Sequence, residues 1–286
     1  MAPFIETRGL YHVFRLEDGR QIAAVRAVDL TIGRGEFVAL IGPNGSGKST
    51  LARHFNALLL PTSGSVWVDG LSTADPANLW RIRRRVGMVF QNPENQIVAS
   101  TVEEDVAFGP ENRALPPAEI RQRVDDALAL VGLRDQRTTP PQMLSGGQKQ
   151  LLAVAGALAA RPDCIVFDEP TSMLDPRGRH QVMDTIRRLN SEAGLTVVLI
   201  TQAMEEATAA RRILAMDRGR IVLQGDPRAV FAQEERLADL GLELPPMADI
   251  ARRLRQHGVP VSPGILSLTE LTRALEAELR AGVTPC

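Results

Sequence analysis

The stretch Gly42-Pro43-Asn44-Gly45-Ser46-Gly47-Lys48-Ser49-Thr50 has the residue types and spacing to hold phosphate. It follows the apolar run Phe37–Ile41 and precedes a helix-like segment from Leu51. A strand, a glycine-rich loop and a helix in that order make a cradle for phosphate oxygens. Its glycines let backbone N–H groups converge with no Cβ in the way. Lys48 brings a point charge to the β- and γ-phosphates, and the Ser49 hydroxyl can ligate Mg2+. A surface turn, the plainer reading, does not account for the flanking strand and helix. Further along, the apolar run Cys164–Phe167 ends in Asp168 and Glu169. Two carboxylates at a strand end suit a Mg2+ ligand and a base for an attacking water. The expectation is a protein that binds a nucleoside triphosphate.

Between these motifs lies Leu144-Ser145-Gly146-Gly147-Gln148-Lys149-Gln150, leading into the Ala/Leu-rich stretch 151–160. The order of phosphate loop, LSGGQ and strand-Asp-Glu resembles the ATP-binding-cassette (ABC) ATPases over about residues 4–230. That resemblance implies ATP and Mg2+ and assigns roles along the chain. Gly42 to Thr50 would hold the phosphates. Asp168 would hold Mg2+ directly or through water, and Glu169 would orient and deprotonate the attacking water. Gln91 would link Mg2+ and that water to a membrane partner. Phe14 aligns best with the aromatic residue that stacks on adenine, with Tyr11 second; the alternative is that both are core or edge aromatics. Ser145, Gly146, Gly147 and Gln148 would bind the γ-phosphate of ATP held by a facing subunit. A serine hydroxyl, backbone N–H groups and a helix N-terminus suit an anion. Asp175 would contact that opposite subunit. A dimer with two ATP at its interface follows.

Gln202 departs from the family, which usually carries histidine after the strand that ends here as Val198-Leu199-Ile200-Thr201. Glutamine keeps a donor but cannot accept and return a proton near neutral pH. With Glu169 intact, a slowed site rather than a dead one is expected. The segments Gln91–Gln96 and Thr101–Asn112 resemble the ATPase subunits of energy-coupling-factor (ECF) importers of vitamins and metal ions. So does the stretch after Phe231, which looks like their helical dimerisation extension. The implied partners are a second ATPase subunit, a paralogue rather than an identical copy given Gln202, a transmembrane coupling subunit and a membrane protein that captures the solute. Two alternatives stay open: a conventional ABC importer, and a soluble ABC protein acting on ribosomes or DNA. Such soluble proteins usually carry two cassettes or long coiled coils, and this chain has neither.

The elements that must position these residues read as an α/β core. Residues 4–41 read as strands, giving an N-terminal antiparallel β part. The helix after Lys48 is expected to run to about Leu60. A helical part, about residues 92–162, interrupts the core before Cys164. Thr101 with Glu104, and Ser267 with Glu270, have capping-box spacing. Asp75-Pro76, Asp175-Pro176 and Asp226-Pro227 read as N-caps with proline at the first helical position. Residues 231–286 read as a short helical extension. Leu268, Leu271 and Leu275 share one helix face there, and that face needs a partner surface. On the ECF resemblance, Glu94, Glu103, Glu104 and Asp105 would face an arginine of the coupling subunit; the plainer reading is that Glu103 and Glu104 complement a helix N-terminus.

Composition limits the function classes. The chain has 286 residues and 33 basic against 34 acidic side chains. That balance argues against a general nucleic-acid binder. Arg81, Arg83, Arg84 and Arg85 form a tight basic cluster that reads first as a solvated helix face. Two cysteines, Cys164 and Cys286, give no disulfide framework and fit a reducing compartment. No apolar run approaches the roughly 20 residues needed to cross a bilayer, and the N-terminus lacks a signal-peptide pattern. The expectation is a peripheral protein at the cytoplasmic face of the membrane.

Overall fold

The computed structural model describes residues 2–282; the last four positions of the expected extension, Cys286 among them, lie outside them. The chain opens with strands β1 (Ile5–Arg15) and β2 (Gln21–Ile32), then β3 (Phe37–Ile41), helix α1 (Lys48–Phe55), and β4 (Ser63–Val68) with β5 (Leu71–Ser72). Helix α2 (Leu79–Arg85) leads into β6 (Val86–Val89). Helices α3 (Val102–Glu111), α4 (Pro117–Val131) and α5 (Gly146–Ala159) follow and pack on one another. The core resumes with β7 (Cys164–Asp168), α6 (Pro176–Ser191), β8 (Thr196–Ile200), α7 (Met204–Ala207), β9 (Arg212–Asp217) and β10 (Arg220–Gly225). Last come α8 (Pro227–Phe231), α9 (Glu234–Asp239), α10 (Pro246–Gln256) and α11 (Leu268–Gly282).

Two sheets result. A four-stranded antiparallel sheet has the order β2-β1-β4-β5. A six-stranded sheet has the order β10-β9-β3-β8-β7-β6, with parallel pairing throughout except at the β9–β10 hairpin. Strands β3, β7 and β8 are buried at every position, which is why each reads as an unbroken apolar run. Their side chains alternate between two cores. Ala39, Ile41, Ile165, Phe167, Val197 and Leu199 enter the cluster that includes α3 to α6. Val38, Leu40, Val166, Val198 and Ile200 enter a second cluster with α1 and the antiparallel sheet.

Local signals account for several helix starts. Thr101 and Glu104 close a reciprocal capping box on α3. Asp175 and Asp226 accept the amides of Gly178 and Ala229, with proline at the next position. Asp75 caps a single 3-10 turn, Pro76–Asn78, ahead of α2. Ser267 Oγ accepts the amide of Glu270 (3.3 Å), but the Glu270 carboxylate takes the amide of Leu266 instead of closing the box. Helix α1 stops at Phe55, short of the expected Leu60: Asn56 Oδ1 accepts the amide of Leu58, and Ala57 takes φ 55°.

The chain beyond 230 is not separate from the core. Phe231 and Leu237 are buried in the larger cluster, with Leu240, Leu242 and Leu244 packed against it. A satellite cluster then joins Ala251, Val261, Ile265 and Leu271, with Leu254 and Leu275 beside it. Two of the three leucines expected to need a partner therefore find it in their own chain, while Leu268 remains exposed. The basic cluster is likewise partly engaged: Arg83 donates to the carbonyl of Ala57, and Arg85 pairs with Asp69. Among the described residues no helix is long and apolar enough to cross a membrane.

Candidate functional site

In an open parallel sheet, loops at the carboxyl ends of neighbouring strands converge where strand order reverses. Here the glycine-rich loop follows β3, Asp168 and Glu169 end β7, Gln202 follows β8, and Gln91 lies just past β6. Ser49 Oγ donates to Asp168 Oδ1 at 2.7 Å, joining the phosphate loop to the strand carboxylate. Gln202 Nε2 donates to Glu169 Oε1 at 2.6 Å. Gln91 Nε2 donates to Ser172 Oγ at 3.1 Å and reaches Glu169 Oε2 only at 3.5 Å. Glu169 adopts φ 51°, a left-handed conformation that costs a non-glycine residue free energy and that clusters at functional sites. A cleft of about 440 Å³ is lined by Gln91, Glu169, Thr171, Ser172, Arg179, Thr201, Gln202 and Ala203.

The loop itself is tightly held. Gly47 caps α1 at φ 103°, and Lys48 Nζ donates to the carbonyls of Gly42 (2.8 Å) and Pro43 (3.0 Å). Burial lowers the Lys48 pKa, and the Glu169 and Asp168 charges oppose that shift. Burial raises the Asp168 pKa, against the hydrogen bond from Ser49. Ser46 Oγ is buried with no hydrogen-bond partner. An orphaned buried hydroxyl in a glycine-rich loop fits an arriving phosphate oxygen. The oxygens of Ser49 and Asp168 fit Mg2+, which takes one or two carboxylates and leaves its other positions to phosphate and water.

Phe14 is exposed on β1, edge-on to His12 with ring centroids 4.5 Å apart. Tyr11, the second candidate, is half-buried. His12 Nδ1 lies 3.1 Å from His54 Nε2, and His54 Nδ1 lies 2.7 Å from the carbonyl of Thr50. A carbonyl only accepts, so His54 carries its proton on Nδ1 and accepts on Nε2. Burial pushes the His54 pKa down to about 4, which keeps the ring neutral. The candidate base platform is thereby tied to the phosphate-loop helix.

Ser145 to Gln148 form the other half of the expected machinery. Ser145 Oγ accepts the amide of Gln148 (3.3 Å), and Gln148 Oε1 accepts the amide of Ser145 (2.9 Å), a closed capping box on α5. A Cβ at Gly147 would stand 3.0 Å from the Cα of Gly178. Helix α5 thus rests on α6, the helix capped by Asp175. Among the described residues no hydrogen bond joins Ser145–Gln148 to the Gly42–Thr50 loop.

The four acidic residues after Gln91 all have partners within the chain. Glu94 pairs with Lys149 (2.6 Å) and Glu103 with Arg137 (2.7 Å). Glu104 belongs to the capping box, and buried Asp105 accepts the amides of Val98 and Ala99. Sequence reasoning missed Thr171, Ser172, Arg179, Thr201 and Glu206. The threonines and Ser172 flank expected site residues, which was a signal; Glu206 gave none. A larger cleft, about 710 Å³ among Glu234, Leu242, Asp249 and Arg252, holds none of the expected site residues.

A family model described as ABC transporter matches residues 25–172. The chain is 57% identical over 277 residues to an energy-coupling factor transporter ATP-binding protein, EcfA1, of Symbiobacterium thermophilum, covering 96% of each chain. It is 52% identical over 259 residues to EcfA1 of Clostridium perfringens, covering 91% of this chain and 92% of that one. Among solved structures, cbiO1 of Clostridium perfringens, described as part of the ABC transporter complex cbiONQ, superposes with TM-score 0.75 at 33% identity over 90% of this chain and 98% of that one. A dimeric ATP-binding cassette in a post-hydrolysis state with ADP and Pi superposes with TM-score 0.71 at 33% identity, covering 78% of this chain and 99% of that one.

Proposed function

The chain belongs to the ABC transporter family of ATPases, and within it we propose that this is the ATP-binding and ATP-hydrolysing subunit of an energy-coupling-factor importer. One observation carries the chemistry. Ser49 and Asp168 meet at 2.7 Å beside the pair Glu169–Gln202 at 2.6 Å, although these residues come from three separate strand ends. The transporter type rests on similarity that runs the length of the chain, through the helical extension, to relatives bearing that name. A conventional importer would not account for that end-to-end likeness.

In this reading Phe14 stacks on adenine, and the amides of Gly42 to Thr50, with Lys48 Nζ, bind the phosphates. Ser49, Asp168 and Gln91 would hold Mg2+, which would supply positive charge to offset that of the phosphates. Glu169 holds the water that attacks the γ-phosphorus. The P–O bond to the β-phosphate breaks, ADP leaves, and the water proton passes to the Glu169 carboxylate. Gln202 Nε2 fixes the orientation of that carboxylate through Oε1. Ser145 to Gln148 and Asp175 act on the nucleotide and subunit opposite. We assign as partners a second ATPase subunit, a paralogue in keeping with Gln202, a transmembrane coupling subunit and a solute-capturing membrane protein. The chain would then sit peripherally at the cytoplasmic face of the membrane.

The test is Glu169→Gln in the chain assembled with its partner. ATP binding should persist while turnover falls by about 10²-fold or more. Near-normal turnover would remove Glu169 from the role of base.

A further inference from the structure

Helix α7 carries a carboxylate, Glu206, that is 4% exposed. Its Oε1 accepts the hydroxyl of Thr171 at 2.6 Å, and its Oε2 accepts the hydroxyl of Thr201 at 2.5 Å. Arg179 Nε stands 3.9 Å from Oε1. Thr171 lies two residues past Glu169, and Thr201 lies immediately before Gln202. Thr201 Oγ1 also accepts the amide of Ala203 (3.0 Å), so the backbone on both sides of Gln202 is fixed. Arg179 is in the first turn of α6, the helix capped by Asp175.

A buried carboxylate is an expensive way to hold a fold together, and a well-packed apolar side chain would often do so at less cost. What the carboxylate offers is two acceptor oxygens at a fixed separation. Here each grips a hydroxyl on a different loop. Those two loops carry the groups that meet on the cleft, Glu169 Oε1 and Gln202 Nε2.

We infer that Glu206 is a positioning residue for ATP hydrolysis: by holding Thr171 and Thr201 on its two oxygens it sets the distance between Glu169 and Gln202, and through Arg179 it links that distance to α6 and Asp175. The inference rests on the hydrolytic role proposed for Glu169. Glu206→Gln keeps the size of the side chain but replaces one acceptor with a donor, so one hydroxyl must give up donating to it and turn its proton elsewhere. Thr201→Val removes one donor at nearly constant shape and serves as the second variant.

The experiment is steady-state ATP turnover of the full chain assembled with its partner, together with nucleotide affinity and the thermal midpoint. Both variants should lower kcat by roughly 10- to 100-fold, the effect of a small misplacement of reacting groups. KM for ATP should stay within about twofold, because the Gly42–Thr50 cradle is untouched. In a Gln202→Ala background Glu206→Gln should cost less than about twofold, since the distance it sets no longer matters. Additive losses in that cycle, or a fall in nucleotide affinity matching the fall in kcat, would overturn the inference and make Glu206 structural. If Glu169→Gln leaves turnover intact, the proposed function fails first. If it abolishes turnover and Glu206→Gln does not lower it, the positioning role alone fails.

Discussion

Two glycines of the phosphate loop look alike in sequence and should respond very differently to alanine. Gly45 has φ 75° and Gly47 has φ 103°, so both occupy backbone that L side chains avoid. A Cβ added at Gly45 would meet nothing within 4 Å, whereas one at Gly47 would lie 2.2 Å from the carbonyl oxygen of Ala24. That oxygen is backbone in β2 and cannot rotate away. Gly45→Ala should therefore cost only the left-handed strain, about 1–2 kcal/mol. Gly47→Ala should add an overpacking term of about 1–3 kcal/mol, because β2 or the first turn of α1 must move. Urea unfolding without nucleotide reads both on one scale, with unchanged m-values confirming that compactness is unaltered. The variants should differ by about 2 kcal/mol. Losses equal within about 0.5 kcal/mol would show that the contact with Ala24 relaxes freely, and would refute the account of why this position excludes a side chain.

Gln202→His should raise turnover severalfold, and at most by about 10², since an imidazole beside Glu169 can accept as well as donate; an unchanged or lower rate in the assembled dimer would show the glutamine to be adequate. His54 titrates at 6.5 when unfolded and about 4 when folded. Between those values the unfolded chain binds the extra proton, so stability should fall as pH drops through that window, by about 3 kcal/mol for this group. Urea midpoints at pH 7.5 and 4.5 should therefore move less in His54→Gln, and parallel shifts would count against the neutral ring. Ending the chain after Pro245 spares Leu237, Leu240, Leu242 and Leu244 but removes the satellite core. That chain should still bind ATP yet associate more weakly with its partner without nucleotide, and equal sedimentation of both forms would confine α10 and α11 to an intramolecular role.

What the sequence made legible was local. A strand followed by a glycine cradle, an apolar run ending in two carboxylates, and serine three residues before glutamine each constrain neighbours only. Strands β7 and β8 were readable because both faces are buried. Contacts between distant segments were not readable. Glu206 follows Glu205 and looks like an acidic turn on a surface helix, yet its partners lie at Thr171 and Thr201. The acidic group Glu94 to Asp105 looked available to another subunit because Lys149, Arg137 and the amides of Val98 and Ala99 come from elsewhere in the fold. Leu271 and Leu275 looked unpartnered for the same reason. The early stop of α1 at Phe55 carries no glycine to announce it, only an asparagine that folds onto its own turn.

The capping box at Ser145 and Gln148 bears on how such a dimer would let go. The amide of Gln148 is already occupied by Ser145 Oγ. A phosphate oxygen from the facing subunit would displace a neutral bond worth about 1 kcal/mol with a charge-assisted one worth about 1.5–3 kcal/mol, so only the difference, about 1 kcal/mol, reaches the interface. Closure would then be an exchange of ligands, with Ser145 Oγ the resident substitute when the γ-phosphate departs. The Gln148 amide would thus have a hydrogen-bond partner both in the closed dimer and after reopening.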